Sequence, residues 1–133
     1  MAEQTLIVLK PDSVKRNLVG EILRRFEEKG FVIKKLKMFT MSRSEAEQFY
    51  SIHKGKPFFN ELVTFITSGQ IVAAVIEGSD AVNKVRAIIG ATKPSEAAPG
   101  TVRRDFGTSL NQNAIHASDS VESFIKESKV IFG

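Results

Sequence analysis

The spacing of apolar residues changes several times along the chain, and each change marks an element. Thr5-Leu6-Ile7-Val8-Leu9 is aliphatic and β-branched without polar alternation and is closed by Lys10-Pro11-Asp12, the pattern of a central strand buried on both faces. Lys10 then stands at a strand end. Leu18, Val19, Ile22, Leu23 and Phe26 fall on one helical stripe, and Gly30 is placed to stop that helix before a β-rich run from Phe31 to Thr40. Ser42-x-x-Glu45 has the form of a capping box opening a helix through Phe49 and Tyr50. After His53-Lys54-Gly55-Lys56-Pro57, a short helix carries Phe58, Phe59, Leu62, Val63 and Ile66. Ile71 to Ile76 predicts a second buried strand, and Gly78-Ser79-Asp80 a cap for a helix striped by Ala81, Val82, Val85, Ile88 and Ile89. Ala114 to Ala117 predicts a short last strand. Ser118-Asp119 opens the final helix, with Glu122 completing a capping box on Asp119.

Between Ala91 and Asn113 no period is convincing, so a long loop is expected there, and loops of that length in compact domains are usually functional. Pro94, Pro99 and Gly100 give it turns, while Thr92, Arg103 and Asn113 give it groups that bind phosphate. The order strand, helix, strand, strand, helix, strand predicts an α+β sandwich. Its form is a ferredoxin-like βαββαβ antiparallel sheet with helices on one face, an inserted helical hairpin and a long loop before the last strand. A single domain over residues 1–133 is expected.

Composition narrows the class. At 133 residues, 42% hydrophobic and 26% charged, the chain has the balance of one globular core. No apolar run approaches the roughly 18 residues of a membrane span, and Met1-Ala2-Glu3-Gln4 lacks the basic-then-apolar secretory pattern, so a cytoplasmic protein without a membrane partner is expected. The absence of cysteine removes disulfides, thiolate metal sites and cysteine nucleophiles from consideration. A net charge of +4 suits a polyanion without choosing among nucleotide, nucleic acid and membrane surface.

Of the two histidines, His53 and His116, the second has the more suggestive setting. It ends a short strand just before a capped helix, where backbone N–H groups and the helix dipole favour an anion. A neutral imidazole is a competent nucleophile when a hydrogen bond to its other nitrogen fixes the tautomer, and Glu127, placed in the last turn of the following helix, is the candidate partner.

Asn113-Ala114-Ile115-His116-Ala117-Ser118-Asp119 resembles the Asn-x-x-His-Gly/Ala-Ser-Asp signature of the nucleoside diphosphate kinases. The resemblance extends to Thr5 through Asp12, to His53-Lys54, and to Pro99-Gly100-Thr101-Val102-Arg103 with Asp105-Phe106, and so covers essentially the whole chain. It implies a two-step reaction in which His116 takes the γ-phosphoryl of a nucleoside triphosphate and passes it to a nucleoside diphosphate, with Ser118 and Glu127 beside it. By the same resemblance, Lys10 contacts the transferred phosphoryl and the sugar 3′-hydroxyl, and Tyr50 donates to the phosphoryl group. Arg86, Thr92 and Arg103 hold the α- and β-phosphates, a use for which guanidinium forks are suited. Asn113 binds the sugar hydroxyls, Phe58 and Leu62 cover one face of the base with Leu110 opposite, and His53 sits near the phosphates without covalent chemistry.

Stacking does not read base edges, so purine and pyrimidine nucleotides should both be accepted. Mg²⁺ is the expected cofactor, brought largely by the nucleotide because the sequence has no carboxylate cage, with Asp119 reaching it through water. The absence of Gly-x-x-x-x-Gly-Lys-Ser/Thr sets P-loop chemistry aside. Three positions depart from the commonest family pattern: Ala117 for glycine, Arg104 for a small residue, and Leu110 for valine. The resemblance implies a homo-oligomer, and since the chain stops soon after Phe132, without the longer tail that contributes to subunit contacts in many eukaryotic members, tetramer and hexamer both stay open. The alternative is a basic ferredoxin-like domain that binds nucleic acid. It predicts an Arg/Lys-Gly-Phe/Tyr-Gly/Ala-Phe strand motif, which the sequence lacks, and nucleic acid is not required for the kinase reading.

Overall fold

The computed structural model describes residues 2–110 and 112–133; Met1, the first residue of the amino-terminal tetrapeptide considered above, lies outside them. Four strands, β1 (Ala2–Leu9), β2 (Val32–Phe39), β3 (Ile71–Ser79) and β4 (Ile115–Ala117), form one antiparallel sheet in the order β2-β3-β1-β4. The helices are α1 (Pro11–Lys15), α2 (Val19–Glu28), α3 (Arg43–Phe49), α4 (Phe59–Ile66), α5 (Ala81–Ile89), α6 (Val102–Phe106) and α7 (Val121–Phe132). The expected α+β architecture is present, with α3 and α4 as the inserted hairpin.

Helices cover both faces of the sheet, where one face was expected. Ile7 and Leu9 of β1 pack with Ile22 and Phe26 of α2 and Val85 and Ile89 of α5. Leu6 and Val8, pointing the other way, pack with Ala46 and Phe49 of α3, Val63 and Ile66 of α4 and Ile131 of α7. The cause is in the strands themselves. β1 and β3 are apolar at consecutive positions, and a strand that is apolar on both sides needs a layer on each.

Local chemistry explains the boundaries. The Ser42–Glu45 capping box forms, with Ser42 Oγ accepting from Glu45 N at 3.1 Å and Glu45 Oε1 accepting from Ser42 N at 2.9 Å. Gly78 and Ser79, expected to cap a helix, instead extend β3, and Asp80 alone is the N-cap residue of α5 at φ +51°. The final helix begins one residue later than expected: Ser120 is the N-cap and accepts from Ser123 N at 3.0 Å. Helix α1 is an addition to the expected elements: Lys10-Pro11-Asp12 ends the strand, and proline at the first helical position serves equally well as a helix start. The segment from 91 to 113 carries a 3₁₀ turn at Pro94–Glu96 and the short α6, which Thr101 caps by accepting from Arg104 N. Gly90 at φ +89° lets Thr101 approach, since a Cβ there would stand 2.6 Å from Thr101 Oγ1.

Candidate active site

β4 is only three residues long, and its place beside β1 puts His116 directly opposite Val8. The ring packs edge-on against Phe49 with centroids 5.0 Å apart, and Phe49 in turn meets Tyr50 edge-on at the same distance. His116 Nε2 lies 2.9 Å from Glu127 Oε1, and Ser118 Oγ donates to that same oxygen at 2.8 Å. A carboxylate can only accept, so in the neutral ring Nε2 carries the hydrogen and Nδ1 the lone pair. Glu127 sits mid-way along α7, because the helix runs on to Phe132, rather than in a last turn. Ser118 is fully buried and bonded to Glu127, so it is not the helix cap that its position before Asp119 suggested.

Lys10 follows β1 and is only 6% exposed. Its Nζ donates to Asn113 Oδ1 at 2.8 Å, and Asn113 Nδ2 donates to the Thr92 carbonyl at 2.9 Å, so one asparagine ties the strand-end lysine to the long loop. Burial, and then the nearby Arg103 cation, push the lysine down to about 8, against the opposing pull of Asp12. Arg103, expected in a loop, lies on α6 and is 5% exposed. Its Nε and Nη2 donate to the Ile115 carbonyl at 3.3 and 2.9 Å, and its Nη1 to the Gly90 carbonyl at 3.1 Å. Burial, and next the Arg86 charge, lower it to about 10, so it stays a cation at neutral pH. Arg86, exposed on α5, donates from Nη1 to the Ala117 carbonyl at 3.2 Å, on the other side of His116.

Tyr50 is buried, which raises its phenol, and the Glu127 charge raises it further. His53 lies in the 3₁₀ turn Ser51–His53, tilted against Tyr50 at 6.3 Å and Phe58 at 5.3 Å between centroids. Burial, then the charges of Lys56 and His116, lower it. Phe58 is exposed at the N-cap of α4, whereas Leu62 is half-buried and packs onto the core beneath that helix. Leu110 is 58% exposed and Thr92 is exposed; Thr92 is tied to the buried cluster by its carbonyl, which accepts from Asn113 Nδ2. Asp119 is exposed, accepts from Ser123 Oγ at 2.6 Å, and is held below the usual carboxylate range chiefly by that bond.

Sequence reasoning missed three supports. Phe49 forms a wall for the imidazole, although as the helical neighbour of Tyr50 it had the look of core alone. Asp12 and Ser13 reach across to the segment before His116: Asp12 Oδ2 accepts from Ala114 N at 3.1 Å and Ser13 Oγ donates to the Ala114 carbonyl at 2.7 Å. The available signal was Pro11-Asp12-Ser13 as a helix start. Ala114 itself has φ +77°, a conformation costing a non-glycine residue about 1–3 kcal/mol. Arg104, whose purpose the sequence does not give, donates from Nη1 to the Ser95 and Ala97 carbonyls at 3.2 Å each and fastens the 3₁₀ turn to α6.

The geometry gathers a nucleophile with a fixed tautomer and three cations, an arrangement able to align and neutralise a phosphate chain. Among the described residues, no group of three or more His, Cys, Asp or Glu could hold a metal ion, and no helix is long and apolar enough to cross a membrane. Comparison with known proteins agrees with the phosphate reading. The chain is 54% identical over 130 residues to a nucleoside diphosphate kinase of Staphylothermus marinus, covering 98% of this chain and 92% of that one. A crystal form of the Aquifex aeolicus nucleoside diphosphate kinase superposes with a TM-score of 0.97 at 50% identity, covering 100% of this chain and 96% of that one. A halophilic nucleoside diphosphate kinase from Halobacterium salinarum, solved in complex with CDP, gives 0.95 at 42% identity, covering 99% and 88%. The family model described as nucleoside diphosphate kinase matches residues 3–133, and with these relatives it shows that the chain belongs to the nucleoside diphosphate kinase family.

Proposed function

We propose that this chain, as one domain over residues 1–133, moves the γ-phosphoryl group of a nucleoside triphosphate to a nucleoside diphosphate in two half-reactions through His116. The observation that carries this is the pair of hydrogen bonds converging on Glu127 Oε1, which leaves His116 Nδ1 as the nucleophilic atom. In the first half-reaction the Nδ1 lone pair forms a P–N bond as the P–O bond to the β-phosphate breaks, and the diphosphate departs with that electron pair. The Glu127 carboxylate accepts the Nε2–H throughout and stabilises the positive charge that grows on the ring. The second half-reaction is the reverse, onto a different diphosphate.

The remaining roles follow from charge and position. Lys10 and Tyr50 serve the transferred phosphoryl group, and Lys10 also the sugar 3′-hydroxyl. Arg86, Thr92 and Arg103 serve the α- and β-phosphates; Arg103 has spent three of its five N–H donors on backbone carbonyls, which keeps its fork rigid with donors to spare. Asn113 serves the sugar hydroxyls, His53 lies by the phosphates, and Phe58, Leu62 and Leu110 serve the base. A site built on stacking accepts both base classes. Mg²⁺ fits as an ion carried by the nucleotide: Asp119 is exposed and kept ionised, and as a lone carboxylate it suits a contact through water. When bound, the ion offsets charge on the phosphate oxygens.

Incubation with γ-labelled ATP is expected to give label that is acid-labile and base-stable and that transfers to any other nucleoside diphosphate, with excess chelator stopping both steps. Acid-stable label, or none, would sink the reading. A cytoplasmic homo-oligomer accompanies it, tetramer or hexamer. Edge strand β2 exposes Val32, Leu36 and Met38, and an apolar edge of this kind calls for cover by a second copy. Sedimentation at micromolar concentration is expected to show multiples of 14.7 kDa, and a lone species of that mass would refute assembly.

A further inference from the structure

Two residues before the nucleophile the backbone folds into a turn that alanine rarely adopts. Ile115 N donates to the Asn113 carbonyl at 3.0 Å, closing a three-residue turn around Ala114 at φ +77°. The polar groups of Ala114 all go to one place. Its carbonyl accepts from Lys10 N at 3.0 Å and Ser13 Oγ at 2.7 Å, and its N–H is taken by Asp12 Oδ2 at 3.1 Å. The segment from Lys10 to Ser13 therefore grips a strained residue about a hundred positions away in sequence.

Asp12 is the unusual member of this grip. An acid in the first turn of a helix ordinarily sits in water and complements the helix dipole. Asp12 is instead 8% exposed, with Oδ2 on the Ala114 N–H and Oδ1 without a hydrogen-bond partner among the described residues. Burial raises its pKa, with the Lys10 charge among the influences opposing that rise. On each side of the gripped turn stands a group used in transfer: Asn113, bonded to the Lys10 ammonium, precedes it, and His116 follows it by two residues.

We propose that Asp12 is a positioning residue for phosphoryl transfer: its carboxylate holds the turn at Ala114 and thereby sets Asn113 against Lys10 and the direction in which β4 presents His116. The proposal rests on the phosphoryl-transfer reading above. Asp12 itself touches no reacting atom; it acts through the backbone of residues 113 to 116. Acceptor geometry toward Ala114 N is what matters, so a side chain of the same shape that still accepts should serve, and a glycine at 114, which takes positive φ without help, should relieve the need.

The test is the single-turnover rate of enzyme phosphorylation by saturating γ-labelled ATP, together with ADP affinity by calorimetry, in wild type, Asp12→Ala, Asp12→Asn and the double variant Asp12→Ala/Ala114→Gly. Asp12→Ala is expected to slow phosphorylation about 100-fold, the scale of a misplaced reacting group. ADP affinity is expected to fall by much less than the rate, because Arg86 on the Ala117 carbonyl and the Arg103 bond to the Gly90 carbonyl lie outside residues 113 to 116. Asp12→Asn is expected within about fivefold of wild type because its amide oxygen can still accept, and the glycine is expected to restore about tenfold of the alanine loss, the worth of one strained residue. Asn matches Asp in shape, so this variant carries the test alone if the alanine variant does not fold. Wild type that takes no label overturns the transfer reading itself. Wild type that labels beside an equally fast Asp12→Ala, an Asp12→Asn as slow as the alanine variant, or no rescue by glycine overturns the role of Asp12.

Discussion

His116→Ala is expected to take no phosphoryl group from a triphosphate and to give none to a diphosphate, with transfer falling on the order of 10⁶-fold, as when an enzyme loses its nucleophile outright. The loss is chemical, since the cationic groups are anchored on partners other than the imidazole. Lys10 is fixed by Asn113, Arg103 by the Ile115 and Gly90 carbonyls, and Arg86 by the Ala117 carbonyl; the Ile115 and Ala117 carbonyls, which flank the histidine, are backbone and survive its removal. Nucleotide affinity should therefore hold within a few-fold while labelling vanishes. Glu127 keeps its bond from Ser118 Oγ and so does not become an unpaired buried charge. Filter binding with labelled ADP beside a phosphoenzyme assay separates the two quantities. Transfer that survived the substitution would remove His116 from the chemistry.

The strands were legible because burial on both faces leaves an unbroken apolar run, and β1 and β3 are such runs. Their lengths were not, since Glu77, Gly78 and Ser79 carry no apolar signal and are held in β3 by pairing with Gln4, Glu3 and Ala2 across the sheet. A similar limit hid α6. Its five residues bury only Val102 and Arg103, too few for a period, and its start depends on one Thr101 hydroxyl. Side-chain identity at the site was legible through a seven-residue signature, but geometry was not. Lys10 had the form of a strand-end lysine, and nothing in its neighbours says that it is buried against Asn113, more than a hundred positions away. Contacts of that separation are set by the closing of β4 onto β1, a tertiary event with no local trace. Ala114 illustrates the point most sharply: alanine has no preference for positive φ, so only its partners at Lys10, Asp12 and Ser13 account for its conformation.

Arg103→Ala is expected to weaken both the fold and the reaction, because one guanidinium serves two purposes. Its three hydrogen bonds hold the Ile115 carbonyl beside the nucleophile and the Gly90 carbonyl at the end of α5. Losing a buried, charge-assisted set of this kind costs about 3 kcal/mol. For a chain of this size that is a drop of roughly 10 °C in Tm. Transfer should slow and diphosphate affinity should weaken together, since the same loss loosens β4 and removes the cation proposed to serve the phosphates. Arg103→Lys should recover the charge but little of the stability, as one ammonium cannot span both carbonyls.

A pH profile separates the electrostatic part of that loss. Lys10 is cationic below its pKa of about 8, so wild-type kcat/KM, which reports the free enzyme, should fall as pH rises through that value. Arg103 is one of the causes that lower Lys10, so without it the lysine stays protonated to higher pH and the fall should begin later. A thermal midpoint close to wild type would show that the carbonyl anchors carry little stability. Unaltered kinetics would remove Arg103 from the phosphate clamp, and an alkaline limb that failed to move upward would separate its charge from Lys10.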